Sequence, residues 1–368
     1  MPKADRPRSR EAVLLLVLAT SAVLAEPARS DEARRAPESP RRRTDNPLEH
    51  LPANVEVLTH FGERADVSPD NRRVAFMAKS FGDAFVIDLY TRVIRCLTCN
   101  VPGAAFLRVM HLPSSDFLLI GPERFEDVSR SRSRDNELWF LSRKPGSRPV
   151  KLGRRIIEGA AVSKRSTRIA FAVGHAQDEA IPEGRRQLVV ADLDPSAQTP
   201  ALRAERVVFT SDGPACHPEA QDFFDDDRRL TYSCYEPEGR ASVWTIDLAT
   251  GERVNQSAAI GFYNEVEGLF PDGRYACVES DHQSRTFGDP ASFRNIDIWK
   301  LRLDGTGREF TRLTSFNDHE GWKASNPVVS TDGRFMAFQV ARTADEAGVG
   351  YGILMLRFDH AATASRGR

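Results

Sequence analysis

A nine-residue phrase recurs along the chain, and it limits the possible folds more than any other feature. Its clearest copies, residues 68–76, 270–278 and 330–338, read SPDNRRVAF, FPDGRYACV and STDGRFMAF. Weaker copies occupy residues 112–120, 163–171 and 225–233. Successive copies begin about 44 to 62 residues apart. A supersecondary unit repeated at this interval predicts a propeller or a solenoid.

Each unit has the order of strands that a propeller blade requires. A short apolar segment runs into the Pro-Asp-Gly turn, whose residues favour a tight reversal, and a β-branched and aromatic strand such as RVAF follows. A third strand, such as SVWTIDLATG, and a short fourth strand that often ends in Thr, such as IRCLT, complete the unit. The predicted fold is all-β: a six-bladed β-propeller of four-stranded antiparallel blades.

The last unit also predicts how the ring closes. It ends at its third strand, GILMLRFD, and only a polar tail follows. The segment VEVLT, residues 55–59, has the pattern of a fourth strand and precedes the first unit. We expect this N-terminal strand to complete the last blade, because that pairing removes two exposed strand edges.

The repeated phrases resemble a known family. Together with the strand DIWKLRLDGTG and the fourth strands that end in Leu-Thr, they are similar to the Pro-Asp repeats of TolB-like six-bladed propellers. The resemblance covers about residues 55–360 and implies the propeller fold. It implies little about activity, because one propeller fold carries many unrelated functions.

The ends of the chain predict export. Four basic residues precede the apolar run at residues 12–25, which ends in small residues, so residues 1–25 are predicted to be a signal peptide. Residues 26–50 are polar and Pro-rich and are predicted to be a disordered linker. The propeller is predicted for residues 51–361 and a disordered tail for residues 362–368. The protein is then periplasmic or secreted, without stable membrane insertion, unless the leader is retained as an anchor.

The five cysteines leave two readings open. Cys96–Cys99 and Cys216–Cys234 are candidate disulfides, which an exported protein can form. Buried free thiols are the alternative, because cysteine is among the residues most often buried. A c-type haem site lacks its His, and a zinc site lacks its second CxxC.

Charged residues stand where core-facing strands should be apolar. The innermost strand of each blade lines the central channel, so its first residues should gather at one mouth. The predicted ligand-binding residues at this channel mouth are Arg64, Arg108, Glu158, His217, Glu219, Asp222, Asn264, Glu265, Glu267, Lys323 and Asn326. They could bind a cation, a sugar or a peptide terminus. Alternatively, they could pair across neighbouring blades as a purely structural lattice.

Two other charged stretches are predicted to be solvated loops. Residues 222–227, DFFDDD, lack the spacing of a calcium loop and suit a turn. The Arg-rich stretch at residues 130–134 has acidic neighbours that cancel its charge.

The sequence favours a binding protein over an enzyme. It contains no GxSxG elbow and no HExxH pair, so no catalytic residue, metal ligand or cofactor is predicted. A net charge of −1 gives no reason to expect a nucleic-acid partner. The predicted function is an exported, monomeric, non-catalytic propeller that binds a protein, peptide or glycan at its channel mouth. The alternative is a metal-dependent lyase or hydrolase acting on a carbohydrate there.

Overall fold

Six four-stranded antiparallel sheets form the protein. The structure is a computed structural model that describes residues 40–358, except 198, 291, 346 and 347. The strands in chain order are β1 Val55–Val57, β2 Glu63–Val67, β3 Arg73–Met77, β4 Ala84–Asp88, β5 Ile94–Cys96, β6 Arg108–His111, β7 Phe117–Pro122, β8 Asn136–Leu141, β9 Val150–Arg155, β10 Ala160–Val162, β11 Arg168–Gly174, β12 Arg185–Asp194, β13 Ala201–Asp212, β14 His217–Phe224, β15 Arg229–Glu236, β16 Arg240–Asp247, β17 Arg253–Asn255, β18 Asn264–Leu269, β19 Tyr275–Ser280, β20 Asp297–Arg302, β21 Phe310–Arg312, β22 Trp322–Val329, β23 Phe335–Arg342 and β24 Ile353–Arg357.

Each sheet is one blade, and consecutive strands pair within it. Blades 1 to 5 consist of β2–β5, β6–β9, β10–β13, β14–β17 and β18–β21, and blade 6 has the order β22-β23-β24-β1. In the part of the chain that the structure describes, helical structure consists of short segments, at Pro47–Glu49, Val128–Arg130, Ser131–Asp135, Gly213–Ala215, Pro237–Gly239, His282–Phe287 and Phe316–Asp318. The predicted six-bladed propeller is confirmed.

The predicted closure is also confirmed. Strand β1 pairs antiparallel with β24, so that Val55 lies opposite Leu356 and Val57 opposite Leu354. Just beyond β1, the Thr59 hydroxyl accepts a hydrogen bond of 3.0 Å from the backbone N–H of Ile353. The first strand of the fold therefore holds the last blade.

The Thr that ends the fourth strands has a structural role. Thr98 accepts a hydrogen bond of 3.0 Å from the backbone N–H of Ala84, and Thr314 accepts one of 2.9 Å from Ile298. In both blades the donor N–H belongs to the third strand, so the hydroxyl links the end of the fourth strand to the third strand. Thr59 makes the same contact in blade 6, which is why VEVLT resembles a fourth strand.

The repeated phrase forms the turn between the first and second strands of a blade. The Ser68 hydroxyl donates to the Asp70 carboxylate over 2.6 Å and accepts from the backbone N–H of Arg73 over 2.9 Å. Ser330 makes the equivalent bond to Asp332 over 2.7 Å. Gly333 in that turn has a φ of 69°, a conformation that glycine adopts without steric cost.

The hydrophobic core lies between neighbouring blades. Side chains of blades 1 and 6 form one such cluster, in which Val74 and Phe76 pack with Ile353 and Met355 and are almost fully buried. Burial of such side chains is the main favourable contribution to folding, about 1.5–3 kcal/mol for each. Closure of blade 6 therefore also completes an apolar interface.

Part of the segment with linker-like composition lies against the propeller. Arg43 forms an isolated β-bridge with His319, and the Arg42 guanidinium lies 2.6 Å from the Asp289 carboxylate. The predicted signal peptide and the C-terminal tail lie outside the described residues. Among the residues described, no helix has both the length and the apolar character needed to span a bilayer.

The structure pairs both candidate disulfides. Cys96 is bonded to Cys99 at the outer edge of blade 1, and Cys216 is bonded to Cys234 in blade 4. Cys277 is a buried free thiol. Both disulfides fit the export that the leader predicts.

Replacement of Thr59 by Val should destabilise the propeller, because the buried N–H of Ile353 loses its acceptor. We expect a loss of about 1–3 kcal/mol in the free energy of unfolding, measured by urea denaturation. The exposed Thr210 on β13 provides the control, and Thr210→Val should change stability by less than about 0.5 kcal/mol. Equal effects of the two substitutions would contradict a special role for Thr59 in closure.

Candidate functional site

The first residues of the inner strands gather around a cavity of about 270 Å³ at one end of the channel, here called the charged mouth. The six inner strands β2, β6, β10, β14, β18 and β22 all begin at this end, which brings distant parts of the chain together. The predicted residues that line it are Arg64, Arg108, Glu158, Glu219, Glu265, Glu267, Lys323 and Asn326.

Backbone irregularities direct several of these side chains into the channel. Four inner strands carry a register shift near their start, between residues 63 and 66, 220 and 222, 266 and 268, and 325 and 328. Within these shifts, Arg64 and Asn326 have positive φ values of 53° and 48°. A β-bulge re-aims a side chain and is over-represented next to functional sites.

Three arginines form the basic half of the charged mouth. The Arg64 guanidinium lies 2.9 Å from the Glu158 carboxylate, whose other oxygen lies 3.5 Å from Nε of Arg132. Arg108 bridges two blades, because it lies 3.4 Å from the carboxylate of Glu219 and 3.6 Å from that of Glu267. Ion pairs therefore cross the channel, as the lattice interpretation of the charges expected.

These pairs leave donors over. The Nε atoms of Arg64, Arg108 and Arg132, and Nη2 of Arg132, are buried without a hydrogen-bond partner. A buried donor that lacks an acceptor costs free energy, more so when the group is charged. An acceptor brought by a ligand or by water would remove that cost.

The basic half also fixes the charge of Glu158. Burial raises the pKa of this carboxyl, but Arg64, Arg132 and Arg108 together outweigh burial and bring the pKa below its ordinary value. The pKa of the Arg108 guanidinium is raised, because the surrounding carboxylates outweigh its own burial. Glu158 and Arg108 are therefore charged at neutral pH.

Carboxyl groups and phenols form the opposite half. The hydroxyls of Tyr235 and Tyr263 both contact the carboxyl group of Glu265, and the Tyr235 hydroxyl also lies 3.1 Å from Oε2 of Glu219. A phenol carries a single proton and can donate it to a single acceptor at a time. One of the two carboxyl groups around Tyr235 therefore has to supply a proton itself.

The pKa values agree with this proton count. Burial, with nearby carboxylates, raises the pKa of Glu219 well above its usual range despite the opposing effect of Arg108. Burial and the adjacent Glu267 raise the pKa of Glu265 to about 7. Burial raises the pKa of Glu279 well above its usual range, although Glu279 accepts a hydrogen bond of 2.5 Å from the backbone N–H of Asn326. This half of the mouth therefore holds protons at neutral pH.

Three predicted residues lie apart from the charged mouth. His217 lines a neighbouring pocket of about 260 Å³, which it shares with Glu219 and Arg132. Asp222 follows the bulge of β14 and lies further along the channel, beside a cavity at the opposite end. The Asn264 amide donates to the carbonyl of Gly261 and accepts from the Ser280 hydroxyl, so it stabilises its own blade.

Other lining residues did not emerge from the inner-strand pattern. Tyr235 and Glu279 end second strands, Tyr263 precedes β18, and Arg132 belongs to the loop between β7 and β8. The acidic end of YACVES, a strand that is otherwise apolar, is a signal that could have identified Glu279. The prediction of a solvated loop at residues 130–134 is wrong for Arg132, because its guanidinium enters the mouth.

Comparisons with known proteins support the fold. No protein-family model matches the sequence, and a search of curated proteins finds no match. A solved gluconolactonase from Xanthomonas campestris is 12% identical with a TM-score of 0.51, over 86% of this chain and 94% of that one. A putative TolB from Agrobacterium tumefaciens is 14% identical with a TM-score of 0.48, over 74% of this chain and 96% of that one. The calcium-binding protein regucalcin from the same organism is 12% identical with a TM-score of 0.47, over 82% and 92%.

At these levels of identity the likeness extends to the fold alone. The chain is a six-bladed β-propeller with a charged channel mouth. The six-bladed architecture that the resemblance to TolB-like propellers implied is confirmed by the six four-stranded sheets.

The raised pKa of Glu265 predicts a dependence of stability on pH. The folded protein holds a proton on Glu265 up to about pH 7, whereas the unfolded chain releases it near the ordinary value of 4.5. The unfolded state therefore binds fewer protons between these pH values, and Glu265 lowers stability as pH rises through that window. The wild type should lose free energy of unfolding between pH 5 and pH 8. The substitution Glu265→Gln, which keeps a neutral hydrogen-bonding group, should reduce this loss by on the order of 2 kcal/mol.

The measurement is urea unfolding of both proteins at the two pH values. Glu123→Gln on an exposed loop is the control and should leave the wild-type dependence on pH unchanged. A dependence in Glu265→Gln identical to that of the wild type would show that Glu265 does not hold the proton.

Proposed function

We propose that the protein is an exported, non-catalytic propeller that binds a peptide segment of a partner protein at the charged mouth. The observation that carries the proposal is an apolar rim around a mouth that contains buried, unpaired guanidinium donors. The leader-like N-terminus and the two disulfides support export. The partner is then in the periplasm or outside the cell.

The apolar rim consists of exposed side chains on loops at the end of the propeller that holds the charged mouth. Its members are Phe61, Phe125, Val128, Phe262, Phe293, Val349 and Tyr351. They precede inner strands or follow second strands, and both of these positions face the mouth end. Aromatic residues often dominate the binding energy of protein–protein interfaces, particularly where binding excludes water from them.

Phe293 connects the rim to the mouth. It lines the charged mouth, its side chain packs beside Tyr263 at 6.3 Å between ring centres, and its backbone carbonyl lies 3.4 Å from Nζ of Lys323. A peptide that contacts Phe293 is therefore within reach of the charged groups below it. Apolar contact at the rim and polar contact in the mouth would together select one segment.

The two halves of the mouth favour different ends of a peptide. Unpaired guanidinium donors suit a carboxylate, since arginine matches carboxylate geometry with paired hydrogen bonds. The carboxyl and phenol groups suit an amine, which can donate to several oxygens. A peptide terminus or an acidic side chain supplies the first group, and a lysine or an N-terminus supplies the second.

The carbohydrate-active alternative finds less support in the contacts. Glu158, Glu219 and Glu267 are engaged by arginines, and Glu265 by two tyrosines. Within the part of the chain that is described, the side chains that could converge on one ion are Asp83, Cys96 and Cys99, and these cysteines form a disulfide. The carboxylates of the mouth are arranged to meet basic and hydroxyl groups.

Removal of the aromatic anchor should weaken binding. Peptides selected from a random library with free C-termini by the mature protein should bind Phe293→Ser at least about tenfold more weakly, since interface aromatics often contribute 2 kcal/mol or more. Tyr90→Ser is the matched control, because Tyr90 is 89% exposed in a turn at the opposite end. Peptides that lose affinity for Tyr90→Ser but not for Phe293→Ser would place the binding surface elsewhere.

The arginine half is tested on the same peptides. Arg132→Gln should weaken binding about tenfold or more, because a charge-assisted hydrogen bond contributes about 1.5–3 kcal/mol. Amidation of the peptide C-terminus or of its acidic side chains should weaken binding to the wild type by a similar factor. If Arg132 contacts one of these carboxylates, amidation of that carboxylate should weaken binding to Arg132→Gln only slightly further.

Arg130→Gln is the matched control for that experiment. Arg130 lies on the same loop but its side chain is half-exposed and pairs with Asp135 and Glu126. Full affinity in Arg130→Gln is expected. If the loss of binding free energy from Arg132→Gln simply adds to the loss from every amidation, Arg132 does not contact a peptide carboxylate directly.

A further inference from the structure

A second cleft of about 370 Å³, here called the basic cleft, lies between blades 1 and 2. Four cationic side chains line it: Arg73, Arg95, Arg143 and Lys144. They come from β3, from β5 and from the turn after β8, so the chain brings three separate elements to one place. The cleft opens beside the turns that connect first to second strands, at the opposite end from the charged mouth.

Within the described residues, none of these four side chains forms a hydrogen bond or an ion pair. The arginines of the charged mouth differ in this respect, because Arg64 and Arg108 are paired with carboxylates. The cleft lining contains no carboxylate. Among the acidic groups outside the lining, Asp70 and Asp88 act on Arg73 at a distance, and Asp116 accepts from the backbone N–H of Arg143 over 2.8 Å.

A buried histidine lies at the floor of the basic cleft. His111 is 1% exposed, and its Nδ1 lies 2.8 Å from the Asp66 carboxylate. Lys164 and the His111 contacts outweigh burial and lower the pKa of Asp66 to about 2. Asp66 is therefore ionised and accepts a hydrogen bond from Nδ1–H. The other ring nitrogen, Nε2, is buried without a partner.

The remaining lining completes a site for a small molecule. The hydroxyl-bearing residues Ser115, Ser142 and Ser147 line the cleft beside the cations, and Phe117 and Leu141 supply an apolar wall. Phe117 packs against the His111 ring at 5.0 Å between ring centres. The volume exceeds that of a single tetrahedral anion, so the wall can take the organic part of a ligand.

We propose that the basic cleft binds the phosphate or sulfate group of a small soluble ester. The unpaired guanidinium groups of Arg73, Arg95 and Arg143 provide forked donors that match such an oxyanion. Lys144 adds a point charge, and the unpartnered Nε2 of His111, whose ring is oriented by Asp66, lies at the floor. The site is independent of the charged mouth and of any peptide bound there.

The test is calorimetric titration of the mature protein with inorganic phosphate, inorganic sulfate and glucose 6-phosphate at low ionic strength. The wild type should bind at one site, and R95S/R143S should bind about tenfold or more weakly, since two charge-assisted contacts are lost. R334S is the control, because Arg334 is also exposed, lies at the same end of the propeller in blade 6 and does not line the cleft. It should bind as the wild type does. Circular dichroism establishes that both variants are folded.

Two results would overturn the proposal. One is the absence of binding by the folded wild type to all three probes, and the other is equal affinity in R95S/R143S and the wild type. A nitrogen NMR measurement then locates the anion: phosphate should shift the Nε2 resonance of His111, and an unchanged resonance would remove His111 from the site. Vesicles that contain phosphatidylglycerol separate a soluble ester from a lipid headgroup. If these vesicles displace glucose 6-phosphate from the protein, the ligand is not restricted to a soluble ester, and the proposal is contradicted.

Discussion

Closure of the ring by β1 is the contact on which the rest of the structure depends. Strand β1 pairs with β24 more than 290 residues away in the chain, in a register that places Glu56 opposite Met355. Without this pairing, blade 6 would expose an unpaired edge, and the apolar side chains between blades 1 and 6 would lose a fixed partner. The hydroxyl of Thr59 repeats in blade 6 the bond that Thr98 and Thr314 make elsewhere, so closure uses the same local chemistry as the outer edges of blades 1 and 5.

The charged mouth is a consequence of that closure. A closed ring brings the starts of six inner strands to one end of the channel, and bulges turn residues such as Arg64 and Asn326 inward. Burial, together with the neighbouring carboxyl groups, raises the pKa values of Glu219, Glu265 and Glu279, so these groups retain protons. Arg64, Arg108 and Arg132 keep donors without protein acceptors. Such a site is costly to fold unless a ligand completes its hydrogen bonds. We therefore propose that ligand binding, in addition to structural pairing, explains the composition of both halves.

The sequence predicts the fold far better than the site. Each blade depends on short sequence segments, such as the turn that begins at Ser68 and the fourth strands that end in Thr. Because these segments recur along the chain, the sequence alone predicts the blades. The inner-strand pattern also places Glu219 and Lys323 correctly, because their positions follow from the repeat. It fails for Asp222, which comes late in β14 and therefore lies further along the channel, and for Arg132, which reaches the mouth from a loop. Register shifts and loop paths depend on tertiary contacts that a single sequence does not display.

Hydrogen–deuterium exchange of the mature protein with a library-selected peptide tests the central claim most directly. The account predicts slower exchange in the loops around the charged mouth, at residues 123–135, 281–290, 292–296, 343–345 and 348–352. It predicts unchanged exchange in the turns at the opposite end, at residues 68–73 and 330–335. Protection confined to those turns, with none in the mouth loops, would show that the peptide binds elsewhere and would contradict the account.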